Sequence, residues 1–290
     1  MTVEVLRYAA FTRDGKGGNP AGVVLDAACL ADAQMLAVAQ AIGYSETAFL
    51  LRPEAGEERI NIRYFSPRAE VAFCGHATIA TAVAHAERHG TGTLHLVTQA
   101  GPVAVETQRT AGGIIATLTS PPATVRPVAP AVLERALAAL RWSARDLDPD
   151  YPSRVASAGN DHLVVGVASA AVLDCFDYDY DLLGRLMADQ GWTTVHAFWP
   201  DTDGRFHARN AFPPGGVVED PATGAAAAAF GGYLRDLGQL PSGRTVTVLQ
   251  GHHMGAPSEL LVSPASDGRR LRVSGAANPL ALSAYDQGYS

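Results

Sequence analysis

The sequence has little positive charge and almost no lysine. Its 22 Lys and Arg residues are outnumbered by 29 Asp and Glu residues, which leaves a formal net charge of −7. Such a chain has no broad basic surface, so nucleic acid is not an expected partner. Lys16 is the single lysine and lies in a glycine-rich loop. Because pyridoxal phosphate enzymes hold their cofactor on a lysine, the sequence argues against that cofactor.

Cysteines and long apolar runs are also scarce. The three cysteines, Cys29, Cys74 and Cys175, are an odd number without metal-type spacing. This argues against a disulfide framework and a zinc ribbon, and no metal site is expected. No stretch approaches the roughly 20 apolar residues of a membrane helix, and the N-terminus opens with strand-like alternation in place of a signal peptide. We therefore predict a cytoplasmic protein with no membrane partner.

The sequence does contain an internal repeat. The segment RYFSP (63–67) is followed by CGHAT (74–78) and a helical pattern, and RNAFP (209–213) is followed by EDPATG (219–224) and another. Further matches fall in the same order at nearly constant spacing: Gly18-Asn19 with Gly159-Asn160, Thr78 with Thr223, and Gln99 with Gln250. This series predicts two structurally equivalent halves. At 290 residues and 47% hydrophobic composition, each half can bury a core of its own.

Each half is strand-rich and contains one apolar helix. Strands are predicted over 47–51 and 59–65, for example, and the helices over about 77–88 and 222–237. The first helix is apolar on nearly every side, and such a helix is buried. We therefore expect each helix to run through the middle of a set of strands.

These features together predict an α+β fold with two domains. A proline-rich segment, 120–130, is the predicted linker, because proline removes donors from a strand ladder. The predicted domains are residues 1–122 and 123–276. A tail of about 277–290 is free to return to the first domain.

The two helix starts are candidate binding positions. Asp220-Pro221 is predicted as the N-cap and first residue of the second helix. Gly75-His76 stands at the corresponding start of the first, and a histidine can exchange protons near neutral pH. A ligand carboxylate between these starts would meet free N–H groups and the positive ends of both helix dipoles. Gly75 and Gly224 allow close approach, so the predicted ligand is a small acid.

Glu46 stands where a turn meets an apolar strand. By itself this segment favours an exposed carboxylate at a strand end. If Glu46 instead faces a cleft, its apolar neighbours suit it to give and take protons. The segment leaves both interpretations open.

At these residues the chain resembles the PhzF-like family of phenazine biosynthesis, within the diaminopimelate-epimerase-like superfamily. The matching segments are GNPAGVVL (18–25), SETAFL (45–50), RYFSPRAEVAFCGHATIATA (63–82), EDPATGAAAAAFGGYL (219–234) and QG (250–251). The resemblance implies two pseudo-symmetric domains, each a β-barrel-like sheet wrapped around a central helix. It also implies frequent assembly as a homodimer and a cofactor-free site between the domains.

The resemblance implies a role for each candidate residue. It places the family's acid/base glutamate at Glu46, its Gly-His pair at Gly75 and His76, and its second-domain aspartate at Asp220. Glu46 would then move a proton between carbons of a small unsaturated acid, while His76 and Asp220 hold or polarise the substrate. The candidate substrate-binding residues are Asn19, Ser45, Gly75, Ala77, Gly224 and Ala225.

Three departures from the family pattern predict a different substrate. Ala225 stands where the family usually has a serine. The segment 255–258 lacks an arginine common before its Pro-Ser, and 15–17 replaces a usual Pro-Phe. The predicted function is a cofactor-independent isomerase acting on a small carboxylate, in the biosynthesis of a secondary metabolite.

Two other functions stay open at this point. One is an amino-acid or hydroxy-acid epimerase, racemase or dehydratase, in which Glu46 or Cys74 pairs with another base. A two-thiol racemase is disfavoured, because Cys74 occupies the first position of the superfamily's opposed cysteines but Thr223 occupies the second. Cys74 is then predicted to be a small buried apolar residue. The other function is a non-catalytic acid-binding protein, which Ala225 and Ala256 favour.

Overall fold

The structure, a computed structural model, describes residues 3–51 and 59–281. The chain divides into two compact units. The first unit comprises the chain up to Leu118 and from Gly275 onward. The second unit runs from Thr119 to Ser274. In the described ranges no helix is long and apolar enough to cross a membrane.

In the part of the first unit that the structure describes, most residues are in strands and two segments are helical. Its helices are α1 (Asp32–Ile42) and α2 (Gly75–His89). Its strands are β1 (Leu6–Thr12), β2 (Asn19–Val24), β3 (Thr47–Leu51), β4 (Arg59–Phe65), β5 (Glu70–Val71), β6 (Thr93–Thr98), β7 (Gly101–Thr110) and β8 (Gly113–Thr119).

The second unit has a similar composition with more helices. Its helices are α3 (Pro130–Ala139), α4 (Ala170–Asp174), α5 (Tyr180–Gln190) and α6 (Gly224–Asp236). Its strands are β9 (Thr124–Pro127), β10 (Arg154–Ser157), β11 (Asp161–Gly166), β12 (Trp192–Pro200), β13 (Phe206–Ala211), β14 (Val246–Gln250), β15 (Ser258–Pro264) and the first part of β16 (Leu271–Pro279), which continues into the first unit from Gly275.

The two units repeat one strand plan. In the first, the pairs β1–β2, β2–β3, β3–β4, β4–β6, β6–β7 and β7–β8 are antiparallel, parallel, antiparallel, parallel, antiparallel and antiparallel. In the second, β10–β11, β11–β12, β12–β13, β13–β14, β14–β15 and β15–β16 follow the same series. The predicted α+β, pseudo-symmetric fold class is confirmed.

The repeated sequence segments form the same ion pair in both units. Arg63 contacts Glu70 through two hydrogen bonds, Nε to Oε1 and Nη2 to Oε2, each of 2.6 Å. Arg209 contacts Glu219 in the same way, with Nε 3.0 Å from Oε2 and a second bond from Nη2 to Oε1. Each glutamate lies opposite the residue two positions after its arginine. A paired guanidinium and carboxylate thus fix the turn that leads from strand to helix in both units.

Each unit encloses one buried helix, as predicted. In α2 the residues from His76 to Ala84 are buried, and α2 packs on β1, β2, β3 and β7. In α6 the residues from Ala226 to Leu234 are buried, against β9, β10, β11, β12 and β15. Small residues make this close packing possible, since a Cβ added to Gly231 would lie 2.5 Å from the Val262 side chain.

The strand order of the first unit closes on itself. It runs β1-β2-β3-β4-β6-β7-β8-β16, and β16 also pairs antiparallel with β1, with Tyr8 opposite Pro279 and Ala10 opposite Ala277. The described part of the C-terminal tail therefore belongs to this unit. The rest of the predicted tail, 282–290, lies outside the described residues, as do the first two residues of the chain.

The predicted linker contains a short strand. Residues 124–127 form β9, which pairs antiparallel with β10. Just before it, the Ser120 N–H donates to Leu271 O at 2.8 Å and the Ala123 N–H to Arg269 O at 3.0 Å. Proline is compatible with this position because β9 ends the strand order, and an edge strand tolerates a missing donor.

Candidate active site

Glu46 is placed by the meeting of two parallel strands. It directly precedes β3, and its carbonyl oxygen accepts a 3.1 Å hydrogen bond from the Gly22 N–H on β2. The strands approach closely here, because a Cβ on Gly22 would lie 2.5 Å from Thr47 Oγ1. The backbone of Glu46 is therefore fixed by main-chain bonding and by the absence of a side chain at Gly22.

The Glu46 side chain meets His76 at the start of α2. Its Oε2 lies 3.4 Å from His76 Nε2, and the two side chains are 21% and 9% exposed. Ser45 Oγ lies 3.3 Å from the same nitrogen. The carboxylate is thus partly accessible from solvent, while its partner imidazole is buried. A carboxylate beside an imidazole can accept, hold and return a proton.

Cys74 lies on another side of the same imidazole. It is the N-cap residue of α2, and its Sγ is 3.4 Å from His76 Nδ1 and 3.8 Å from Nε2. The sulfur therefore lies near both ring nitrogens. Cys74 is buried, as predicted, and its thiol contacts the His76 ring.

The first turn of α2 is held by two buried hydroxyl groups. Thr78 Oγ1 donates to Cys74 O at 2.6 Å and lies 2.6 Å from the Tyr64 hydroxyl oxygen. Burial raises the pKa of Tyr64, so the phenol stays protonated. These two residues fix the backbone beneath His76. Neither Tyr64 nor Thr78 was predicted to belong to the site. The one feature of the sequence that could have indicated a role is the position of Thr78, one turn into the helix.

The start of α6 differs from its prediction. Its N-cap is Thr223, not Asp220, and Gly224 is the first helical residue. The Asp220 carboxylate instead accepts a 2.6 Å hydrogen bond from Thr223 Oγ1. Gln250 Oε1 accepts from the Thr223 N–H at 3.3 Å, so a residue of a distant strand binds the backbone at this helix start.

Gln250 ties the rest of this turn together. Its Nε2 donates to Asp220 O at 2.6 Å and to Thr223 Oγ1 at 3.0 Å. It is 1% exposed. The next residue, Gly251, has φ +76°, and a Cβ there would lie 2.7 Å from Pro221 O. The Gln-Gly pair at 250–251 therefore supports the turn that holds Asp220.

The two helix starts correct the register of the sequence repeat. Cys74 is the N-cap of α2 and Thr223 is the N-cap of α6, followed by Gly75 and Gly224 as first helical residues. The pairing of Thr78 with Thr223 was therefore wrong by one helical turn. The number of residues between the arginine and the helix start differs between the two units, and sequence matching alone does not show where the extra residues lie. This difference explains the incorrect pairing.

The structure brings some predicted site residues together. Ser45, Glu46, Gly75 and His76 cluster in the first unit, and Ala77 follows in α2. Asn19 begins β2 and is buried. The others lie at or just before the start of α6 in the second unit and are Asp220, Gly224 and Ala225. Their roles stay predictions.

A buried polar cluster in the second unit was not predicted. His162 Nδ1 lies 2.8 Å from Thr194 Oγ1, which donates to Asn210 Oδ1 at 3.1 Å, and His196 Nδ1 lies 3.2 Å from the same oxygen. Burial lowers the pKa of His162 to about 3 and that of His196 to about 4. Both imidazoles are therefore neutral in the folded chain. Their strands read only as apolar stretches in the sequence.

Comparison with known proteins places this chain among isomerases. The family model described as phenazine biosynthesis-like protein matches residues 8–281. A trans-2,3-dihydro-3-hydroxyanthranilate isomerase from Pseudomonas fluorescens is 34% identical over 89% of this chain and 90% of its own length.

Solved structures show the same likeness at the level of the fold. A phenazine biosynthesis protein of the PhzF family from Bacillus anthracis superposes with a TM-score of 0.85 at 25% identity, over 97% of this chain and 98% of the other. A probable proline racemase from Agrobacterium radiobacter shares the fold alone, with a TM-score of 0.60 at 16% identity, over 99% and 95% of the two chains.

Proposed function

Because the chain belongs to the phenazine biosynthesis-like family and is an isomerase of the PhzF type, we propose that it moves a proton, and with it a double bond, on a small unsaturated carboxylic acid. Glu46 carries the proton, and no cofactor takes part. The observation behind the proposal is the 3.4 Å contact between Glu46 Oε2 and His76 Nε2 in a place where the carboxylate is still 21% exposed.

The reaction needs one carboxylate that acts twice. The Glu46 carboxylate takes a proton from one carbon, and the electron pair left behind spreads over the double bond and the acid group of the substrate. The resulting carboxylic acid then returns the proton to the carbon at the other end of that system. One proton leaves and one returns, so the product is an isomer.

The start of α2 is suited to stabilise the charge that develops. The first N–H groups of a helix have no intrahelical acceptor, and the helix dipole places partial positive charge there. A substrate carboxylate can bind the N–H groups of Gly75, His76 and Ala77. The space beside Gly75 is open, since the nearest atom to an added Cβ would be 4.0 Å away. His76 polarises the substrate from the same turn.

The remaining candidate residues are assigned to substrate binding. Asp220 accepts from Thr223, so one of its carboxylate oxygens is already oriented and the group can hold a polar substituent of the substrate. Asn19, Ser45, Gly224 and Ala225 are assigned to contacts with the substrate. Homodimer assembly and a cytoplasmic location stay predictions.

The arrangement of Glu46 and Cys74 favours proton movement on one face of the substrate over inversion of a centre. Two bases that flank a carbon on opposite faces, each with its acid/base atom about 3 Å from that carbon, need a separation of roughly 6 Å. The donor atoms of Glu46, Cys74 and His76 all lie within 4.8 Å of one another. They are too close to stand on opposite faces, which argues against a Glu-Cys epimerase.

The test is solvent deuterium incorporation. The first substrate to assay is trans-2,3-dihydro-3-hydroxyanthranilate, the acid named for the relative, followed by other unsaturated metabolite acids. In deuterated water the wild-type chain is expected to label a carbon of the accepted acid. The Glu46→Gln variant is expected to lose about 10²- to 10⁴-fold in rate, because an amide cannot accept the proton.

The control is Glu134→Gln, which changes an exposed glutamate in α3. It should turn over at the wild-type rate, and circular dichroism should show that both variants are folded. A folded Glu46→Gln variant that labels the substrate as fast as wild type would remove Glu46 from the reaction. Loss of optical rotation without label at a second carbon would select the epimerase.

A further inference from the structure

We propose that Glu46, Cys74 and His76 form a site for a divalent cation of the zinc class, and that the bound cation reversibly inhibits the enzyme. The binding step depends only on the three side chains. The inhibition rests on the proposed function, because it requires Glu46 to be the proton carrier.

The donor set is the one that zinc prefers. Zn²⁺ binds thiolate sulfur, imidazole nitrogen and carboxylate oxygen, whereas Mg²⁺ and Ca²⁺ take oxygen ligands. Cys74, His76 and Glu46 supply one of each, and their donor atoms lie within 4.8 Å of one another. Within residues 3–51 and 59–281, this is the only group of three or more His, Cys, Asp or Glu side chains with that spacing. Cys29 and Cys175 are exposed and lie outside it.

The distances between donor atoms are close to those of a tetrahedral zinc site. Zinc–ligand bonds of about 2.0–2.3 Å place neighbouring ligand atoms roughly 3.3–3.6 Å apart. His76 Nε2 lies 3.4 Å from Glu46 Oε2 and 3.8 Å from Cys74 Sγ. Small side-chain movements would bring three ligands around one ion. The fourth position would be open to water, as in zinc sites that exchange a ligand.

The surroundings allow an ion to enter and keep it there. The Glu46 side chain is 21% exposed, so it provides the access, while the His76 side chain is 9% exposed and Cys74 is buried. Cys74 is fixed at the helix start, where its carbonyl accepts from Thr78 Oγ1 at 2.6 Å. The backbone that carries Cys74 and His76 is therefore fixed before the ion arrives, which lowers the entropy cost of binding.

A bound cation would block the reaction, because it would bind the lone pairs that Glu46 and His76 need for catalysis. A Glu46 oxygen bound to the ion cannot take a proton from carbon, and a bound His76 nitrogen cannot polarise the substrate. The thiol of Cys74 loses its proton to solvent as the sulfur binds, so charge and atoms balance. Removal of the ion by a chelator restores all three groups.

The experiment uses Co²⁺ as a spectroscopic probe and Zn²⁺ as its competitor. The whole chain, freed of metal by a chelator, is titrated with Co²⁺. A near-ultraviolet thiolate-to-cobalt absorption band is expected, with one ion per chain, and Zn²⁺ should abolish it. The Cys74→Ser variant should lose the band, and Glu46→Gln should raise the Kd at least about tenfold.

Matched cysteine variants serve as controls. Cys29→Ser and Cys175→Ser should keep the band, and circular dichroism checks that every variant folds. A band that survives in folded Cys74→Ser, or no band in the wild-type chain, would overturn the site. Glu46→Asp, which keeps a carboxylate, should bind more tightly than Glu46→Gln; equal affinities would remove Glu46 from the ligand set.

The inhibition is measured separately from the binding. Zn²⁺ should stop deuterium incorporation at the concentration that displaces Co²⁺, and a chelator should restore it. A chain that labels substrate but shows no cobalt band overturns the metal site and leaves the proposed reaction standing. A chain that shows the band but labels no acid keeps the site and overturns the proposed reaction. Full activity with the site occupied overturns the inhibition.

Discussion

The starts of α2 and α6 occupy equivalent positions in the repeat but differ in how their polar groups are used. At α2, the contacts of His76 with Ser45, Glu46 and Cys74 range from 3.3 to 3.8 Å. At α6, the contacts among Asp220, Thr223 and Gln250 range from 2.6 to 3.3 Å and link all three residues. An N–H···O hydrogen bond is normally about 2.9–3.0 Å.

The polar groups at the start of α6 are held more tightly than those at the start of α2. Groups that satisfy one another are fixed and exchange protons poorly with a ligand, whereas groups held near each other without tight bonds can re-pair with a substrate. Under the proposed function, the same fold element carries the chemistry in the first unit and an oriented binding group in the second. The two helix starts share a backbone plan and differ in their side chains.

The largest expected effect concerns the two arginine–glutamate pairs. The Arg209 and Glu219 side chains are 11% and 10% exposed, against 23% and 21% for Arg63 and Glu70. Glu219→Gln leaves the mostly buried Arg209 guanidinium without a carboxylate, bound only to the carbonyl oxygens of Leu173 and Asp174, and should lower the free energy of unfolding by about 3 kcal/mol. Glu70→Gln should cost less, because Arg63 keeps a 2.6 Å contact with Asp32.

Urea unfolding of the whole chain measures both changes. Glu134→Gln is the control for loss of a surface carboxylate. If Glu70→Gln is as destabilising as Glu219→Gln, burial does not distinguish the two pairs, and the remaining contact with Asp32 contributes nothing.

The next effect is a dependence of stability on acid pH that comes from the second unit. The pKa of His162 is lowered to about 3 and that of His196 to about 4, below the ordinary value of 6.5, so the unfolded chain binds more protons than the folded chain between those limits. The stabilisation is complete above pH 6.5 and is lost as the pH falls. The loss is about 1.4 kcal/mol per histidine for each pH unit.

Urea unfolding at pH 7 and pH 5 tests this dependence. The His196→Gln variant should lose less stability between the two pH values than wild type, whereas His95→Gln, which changes an exposed histidine, should behave as wild type. Equal losses in wild type and His196→Gln would show that the buried imidazole takes up its proton as readily as in the unfolded chain.

The smallest expected effect concerns the Asp220 carboxylate, which Thr223 orients at the start of α6. Thr223→Val removes the 2.6 Å hydrogen bond to Asp220, and with it the 3.0 Å bond from Gln250 Nε2, and keeps the shape of the side chain. If Asp220 binds substrate, KM should rise about tenfold, the equivalent of one hydrogen bond of roughly 1–1.5 kcal/mol, with kcat little changed.

The conservative variant Thr223→Ser should restore KM, because it keeps the hydroxyl. Steady-state kinetics on the accepted acid provide both numbers. An unchanged KM in Thr223→Val, or a fall confined to kcat, would mean that this hydrogen bond does not orient a binding group.

Much of the fold could be predicted because it depends on local patterns. The bounds of β3 and β4 agree with the predicted strands, and α1 ends before Gly43, which has φ +71°. Apolar periodicity and the residues that stop helices act over a few positions, so the sequence reports them directly. Only part of the site was accessible in this way, through the short motifs around Glu46, His76 and Asp220.

By itself, the sequence determined the duplication, the two buried helices and the residue types at each helix start, since all of these are properties of segments. Tertiary structure decided which atoms meet. Gln250 bonds to the Thr223 N–H at the start of α6, and Cys74 lies against His76. The physical reason is that hydrogen bonds and side-chain contacts depend on distances in space between strands and helices far apart in the chain, and no spacing along the sequence encodes those distances.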